Sequence, residues 1–322
     1  MSSKINYGIP LESWNPIEGG CTKCSPGCQN CWAASWAKRF RPDWTYTGKP
    51  NFRLNEKILE KPLKWRKPRN IFVCNLTDLF HEVMPREFHV KIINVILQTP
   101  QHKYLVLTKR PAIVKKYLAK PIDNLWLGVT VCNQQEADEK IPILLSVPAA
   151  HRWVSIEPML GEINLNNYFP CHCKCPSTIT HHTENKCEYC GHTGCSIDWV
   201  IVGGESGYKA RPLHIDWVRK IRDDCESAGV PFFFKQWGEY FPKRDVQHEI
   251  CNDKKGQMTE WTISSSTDTK SIGRKYWVAF DNDGKAYRMA RNHKHDRILL
   301  DDKEYRQVPE GLIKPESEAS DE

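Results

Sequence analysis

The sequence predicts an α/β fold built on a parallel sheet of six or seven strands, and three observations carry that prediction. First, short apolar runs rich in β-branched and aromatic residues recur: IFVCNL from 71, YLVLT from 104, LWLGVTV from 125, RWVSIE from 152, WVIVGG from 199 and PFFFKQW from 231. Continuous apolar runs of this length suit strands buried on both faces. Second, stretches of helical periodicity lie between them, and strand alternating with helix implies parallel βαβ units. Third, the runs start 33, 21, 27, 47 and 32 residues apart, and the one wide interval contains the cysteine-rich stretch Cys171 to Cys195, which reads as an insertion.

Taken in order, IFVCNL ends at the polar group Asn75 to Asp78, and Arg86 to Gln98 follows as an amphipathic helix with Phe88, Ile92, Val95 and Ile96 on one face. Ile215 to Ser227 is a second such helix, stopping before Gly229. From Pro242 the chain becomes more polar. YWVAFD and KAYRMA flank Asn282-Asp283-Gly284, a strong hairpin signal, and the end is the acidic PESEASDE. The domain reading is therefore a main α/β unit over 1–241 with the insertion 171–195 inside it, a small β-containing region over 242–313, and an acidic tail over 314–322. Alternation alone leaves both an open doubly wound sheet and a full or partial barrel in play.

With 322 residues, 40% of them hydrophobic, and a mean hydropathy of −0.59, the chain can bury one large core or two ordinary ones. Whole-chain disorder and collagen-like architecture are excluded. No apolar run approaches the roughly 18 residues that span a bilayer, and MSSKINYGIP lacks the apolar stretch of a secretory signal. The expectation is a soluble cytoplasmic protein with no membrane partner. In that reducing compartment, fourteen cysteines read as metal ligands or reactive groups rather than disulfides. Lys and Arg exceed Asp and Glu by 46 to 39, a net +7 compatible with a polyanionic partner.

Cys21, Cys24, Cys28 and Cys31 fall within eleven positions. Thiolates so close repel one another unless a metal compensates their charge. A tetrahedral zinc site is one solution, although four ligands from one short loop are cramped. Cys24, Cys28 and Cys31 have the C-x3-C-x2-C spacing of radical S-adenosylmethionine (SAM) enzymes. There a 4Fe-4S cluster takes three thiolates and leaves one iron open to chelate SAM and reduce it, releasing a 5′-deoxyadenosyl radical.

The segment CTKCSPGCQNCW from 21, preceded by SWNP from 13, resembles a three-cysteine-motif family of phages and bacteria that is related to radical SAM proteins. The resemblance extends over most of the chain, through NLTDLF from 75, LTKRP from 107, SIEP from 155, WVIVGGESG from 199, FKQWG from 234 and DRILLD from 296. It implies a full or partial TIM-type (β/α)6–7 barrel, a 4Fe-4S cluster, SAM, and an electron donor as partner. In that family the position of Cys24 is usually not cysteine, so Cys21, Cys28 and Cys31 are the rival ligand set. The general spacing favours Cys24.

Barrel enzymes place reactive groups at the carboxyl ends of strands. Here those ends carry Asn75 and Asp78, Lys109 and Arg110, Thr130 and Asn133, Glu157, Gly203, Gly204 and Glu205, then Lys235 and Gln236. Polar residues directly after buried runs need partners, so a shared polar pocket is expected. Asn75, Asp78, Lys109, Thr130, Glu157, Gly203, Gly204 and Glu205 are the candidates for holding SAM. Glu157 suits a ribose or a cationic amine, and Lys109 or Arg110 a carboxylate or phosphate. Gly203-Gly204 lets a backbone approach a ligand or, more simply, makes a tight turn. Caps and salt bridges are the competing uses of the others.

The insertion holds Cys171, Cys173, Cys175, Cys187, Cys190 and Cys195 with four histidines. So short a polar stretch builds no core, and a metal would supply its folding energy. Cys173, Cys175, Cys187 and Cys190 form the leading set for a zinc ribbon, with Cys171 and Cys195 as substitutes and a second iron-sulfur cluster as the alternative.

From Ser35 to Arg69 there are eleven Lys or Arg against three acids, interleaved with Trp36, Phe40, Trp44, Tyr46, Phe52 and Trp65. Cations neutralise phosphates while aromatic faces stack unpaired bases. A solvated face over ordinary aromatic core is the plainer account. The functional expectation is a radical SAM enzyme acting on a nucleic-acid (DNA) base or nucleotide, for modification or lesion repair. The alternative is a non-catalytic zinc-dependent nucleic-acid-binding protein.

Overall fold

The computed structural model describes residues 7–41, 43–46, 49–170, 196–207, 209–243, 258–262, 275–280, 286–291 and 298–314. Its centre is a seven-stranded sheet of β1 (Leu11–Trp14), β2 (Asn70–Val73), β3 (Lys103–Thr108), β4 (Leu125–Thr130), β5 (His151–Ile156), β6 (Trp199–Gly203) and β7 (Phe232–Gln236). Every neighbouring pair is parallel, and the order across the sheet is the order along the chain. Each crossover therefore steps one strand in the same direction. That curls the sheet and leaves one face for the helices α1 (Trp32–Phe40), α2 (Arg86–Gln98), α3 (Gln134–Leu145) and α4 (Ile215–Ala228).

Alternation of side chains along a strand separates two cores. On the helical side, Val73, Val106, Leu127, Val154, Val200 and Phe234 pack in one cluster with Ile92 and Ile96 of α2, Ile141 of α3 and Val218 of α4. On the other face Phe72, Leu105, Trp126, Trp153, Trp199 and Phe233 form a second cluster around Tyr7. Each of these rings removes roughly 150–250 Å² from water on burial, about 4–6 kcal/mol of transfer free energy before chain entropy is charged against it. Trp153 fits because Gly128 stands opposite: a Cβ there would lie 2.3 Å from the indole.

The expected full or partial TIM-type barrel is corrected: the sheet is an open, curled half-barrel. β1 and β7 are its two ends and do not pair. A local cause lies in the chain after residue 298. The Phe234 amide donates to the Tyr305 carbonyl at 2.7 Å and the Gln307 amide to the Phe232 carbonyl at 3.0 Å, with Arg306 bridging Phe233 in antiparallel fashion. The free edge of β7 is thus covered by this segment, and those backbone groups are not open for a further parallel strand.

Beyond β7, the strands β8 (Tyr240–Lys243), β9 (Met258–Thr262), β10 (Lys275–Phe280) and β11 (Ala286–Arg291) form an antiparallel sheet in the order β8-β11-β10-β9. β10 and β11 are the two runs either side of the Asn-Asp-Gly signal, which itself lies outside the described residues. Residues 298–314 return to the main sheet, where the Ile313 carbonyl accepts from Asn70 Nδ2 at 2.6 Å.

The expected metal-binding insertion, with Cys171, Cys173, Cys175, Cys187, Cys190 and Cys195, lies outside the described residues, as do residues 315–322 of the acidic tail. Among the described residues no three His, Cys, Asp or Glu side chains are grouped to hold a metal ion, so the cysteine-rich metal site of the expected fold is absent from them. No helix among them is long and apolar enough to cross a membrane.

Candidate active site

The aromatic layer on the inner face gives way to polar residues toward the carboxyl ends of the same strands. The inward series run Leu105, Leu107, Lys109 on β3 and just beyond it, Trp126, Gly128, Thr130 on β4, and Trp153, Ser155, Glu157 on β5 and just beyond it. β7 continues from Phe233 to Lys235. These polar ends border a cavity of about 400 Å³, with Tyr7, Phe72 and Leu107 of the apolar layer also in its lining. Cys21, Cys28 and Cys31 line it, as do Asn75, Asp78, Lys109, Thr130, Glu157, Gly204 and Glu205.

The cysteine loop closes one side. Pro26–Cys28 form a single 3-10 turn whose start is capped by Ser25, its Oγ accepting from the Gly27 amide at 3.1 Å. α1 then begins at Trp32, directly after Cys31. Cys28 is buried, Cys21 and Cys31 are half-buried, and Cys24 is exposed and outside the cavity lining. A hydrogen bond from the Cys24 thiol holds the Cys28 thiol down at about 5, helped by the Lys109 ammonium and against the effect of burial. Burial pushes the Cys21 thiol up to about 11. The Tyr46 hydroxyl donates to the Cys28 carbonyl at 2.8 Å, and its ring stacks on Trp44 with centroids 5.5 Å apart.

Two ion pairs with buried carboxylates anchor this loop to the sheet. Asp78 accepts from Thr108 Oγ1 at 2.7 Å, from the Phe80 and Lys109 amides at 3.0 and 3.1 Å, and from Arg110 Nη1 at 3.0 Å. Arg110 Nη2 in turn donates to the carbonyl and hydroxyl of Thr22 at 3.2 and 3.0 Å. On the other arm, Glu205 accepts from the Arg211 amide and Nε at 2.8 and 2.9 Å, from Nη2 at 2.6 Å and from Asn30 Nδ2 at 3.0 Å. Arg211 Nη2 also donates to the Pro26 carbonyl. Burial alone would raise the Glu205 carboxyl, but the bonds from Arg211 and Asn30 override it and hold it below its ordinary value. Asp78 and Glu205 therefore line the cavity with their acceptors already engaged by protein donors.

Other candidates are less committed. Lys109 makes no side-chain hydrogen bond or ion pair among the described residues. Burial works against its charge, yet Cys28, Cys132, Cys31 and Asp78 raise its basicity. Asn75 Nδ2 donates to Ser13 Oγ at 3.3 Å while its buried Oδ1 has no partner. Glu157 accepts from Ser155 Oγ at 3.2 Å and pairs with Lys235, whose ammonium lies 4.9 Å from the centre of the Tyr7 ring. Burial, and then Glu157, keep the Tyr7 hydroxyl well above its usual titration range.

The glycine pair serves packing. A Cβ on Gly203 would meet the Glu157 side chain at 3.3 Å, and one on Gly204 would lie 1.9 Å from the Trp237 carbonyl. Asn133 caps α3 through its Oδ1, which accepts from the Glu136 amide at 2.9 Å. Sequence reasoning missed Tyr7, Ser155 and Arg211. Ser155 was within reach of the period-2 pattern Trp153, Ser155, Glu157; Tyr7 and Arg211 sit outside any periodic run and carry no such mark.

Fold and site together define the class: an α/β protein with a sequentially ordered parallel sheet and a cysteine-lined cavity at the carboxyl ends of its strands. The family described as protein of unknown function DUF5131 matches residues 2–309, and the chain belongs to that family. No curated protein and no solved structure matches it.

Proposed function

We propose that this chain is a radical SAM enzyme in which Cys21, Cys28 and Cys31 hold three irons of a 4Fe-4S cluster, and that it acts on a nucleic-acid base or nucleotide in modification or lesion repair. The observation that supports this best is the convergence of those three cysteines on one cavity that also holds Lys109 and the unpartnered Asn75 Oδ1. Three thiols from one short loop beside a cavity match the demand of a four-iron cluster, which takes three thiolates and leaves one iron for a further ligand.

When bound, the cluster and SAM supply a 5′-deoxyadenosyl radical, with the electron coming from an external donor. The chain's own part is to bind and orient. Lys109 offers an ammonium for a carboxylate, and Asn75 Oδ1 an acceptor for an amine or amide N–H. Glu157, paired with Lys235 and hydrogen-bonded by Ser155, suits sugar hydroxyls. The arginine anchors fix the cysteine loop, and Tyr7, Phe72 and Leu107 give the cavity an apolar side that disfavours water.

The test is anaerobic purification with iron, sulfide and zinc analysis, followed by reduction with SAM. About four irons per chain and release of 5′-deoxyadenosine are expected. Zinc alone, with SAM untouched, overturns the reading in favour of a zinc-dependent nucleic-acid binder.

A further inference from the structure

Helix α1 carries an aromatic stripe that begins at the cavity. Trp32 borders the cavity and is 44% exposed; Phe40 is 54% exposed. Trp36 lies between them, its ring centroid 5.2 Å from that of Phe40. Residues four apart share a helical face, so these three form one line along the helix. Its inner side is anchored by the buried Ala33 and Ala37. Fold stability does not call for large aromatic rings in water at helical spacing, and such a patch marks an interaction surface.

Charge selects the partner. The helix, WAASWAKRF, has no acidic residue, and it ends in Lys38 and Arg39, both exposed. The Arg39 guanidinium lies 5.2 Å from the centre of the Phe40 ring, and Arg41 follows. Flat apolar faces alternating with cations complement a chain of bases and phosphates. Only an unpaired strand offers its bases, because a duplex stacks them on one another. An acidic peptide would meet the cations but has no succession of flat faces to cover the rings.

We propose that α1 is a stacking track for single-stranded DNA, with Trp32 receiving the base that enters the cavity. This rests on the reading of that cavity as the reactive site, and the measurements separate the two. Full-length protein is titrated into a labelled oligodeoxythymidylate of about twelve nucleotides, and into a duplex of equal length, with anisotropy as readout. The single strand is expected to bind at least about tenfold more tightly than the duplex. Trp32→Ala and Phe40→Ala are each expected to weaken it about tenfold, a lost base–ring stack being worth ~1–3 kcal/mol. Trp32→Phe keeps a ring and restores most of the loss. Lys38→Glu with Arg39→Glu weakens binding and flattens its salt dependence by about 0.7 in log–log slope per lost phosphate contact. Equal binding of both DNAs, or alanine variants that melt and bind like the parent, overturns the track. Iron analysis on the same preparations is independent: a full cluster without DNA binding overturns the track and leaves the enzyme reading standing. Ring-dependent binding by iron-free protein upholds the track and removes the enzyme reading.

Discussion

Arg211 donates from Nη2 to the carbonyl of Pro26 at 3.0 Å, joining positions 185 residues apart. The same guanidinium is held by Glu205, so the turn bearing Cys28 is tied to the end of β6 through a single side chain. Arg110 does the corresponding work at Thr22 from the end of β3. A cysteine loop with little regular structure of its own is thereby positioned by the rigid sheet rather than by the loop sequence.

Arg211→Ala is expected to cost about 2–3 kcal/mol, because it leaves a Glu205 side chain that is only 4% exposed without its guanidinium partner. Glu205 should then titrate higher than in the parent. Arg211→Lys keeps the charge but not the fork, and is expected to fall between the two. Denaturant midpoints and iron content after reconstitution measure both effects.

Among the four clustered cysteines, serine at Cys21, Cys28 or Cys31 should abolish the visible absorbance of the proposed cluster, whereas Cys24→Ser should keep it. Cys24 lies at the exposed surface and outside the cavity lining. The opposite pattern for Cys21 and Cys24 would reinstate the C-x3-C-x2-C ligand set.

Gly27→Ala tests the fit of the loop on its support. A Cβ there would lie 2.4 Å from Cys132 Sγ and 3.0 Å from Pro158 Cδ. The loop must lift, with an overpacking cost of roughly 1–3 kcal/mol. Reconstituted iron should fall more steeply than the melting temperature, since the strain sits beside Cys28.

Asp301 gives a pH dependence. Burial would raise its carboxyl, but hydrogen bonds from Arg219 and Arg222 override this and hold it below the usual value. Its folded form therefore titrates at lower pH than its unfolded form. The contact is fully stabilising above the unfolded carboxyl's range near pH ~4, and is lost as pH falls through the folded value. Asp301→Asn, which also tolerates the positive φ of 51° at this position, should cost about 1 kcal/mol at neutral pH for so accessible a pair. The gap between parent and variant in urea melts should close on acidification.

Much of this was legible in the residues because burial writes itself into composition. The six apolar runs coincide with β2 to β7, and Arg86–Gln98 is a helix with the limits its periodicity gives. β1 was missed because LESW is a four-residue edge strand whose Glu12 faces solvent and pairs with Arg69. Openness was not legible at all. It depends on where residues 305–307 come to rest, and no local pattern encodes that. Most of the polar residues after the strands border the cavity, while Asn133 caps a helix and Gly203 lies outside the lining. The pattern could not separate Asp78 and Glu205, engaged by arginines, from Lys109 and the Asn75 carbonyl oxygen, which have capacity to spare. That distinction is set by partners far away in sequence.

The strap of residues 305–307 along β7 carries a liability of its own. Were it cut away, the sheet would present a bare ladder of amide and carbonyl groups, and the nearest thing able to complete it would be another molecule in the same condition. A truncation ending before Leu299 is thus expected to emerge from size-exclusion as ribbons or swapped pairs rather than as monomer.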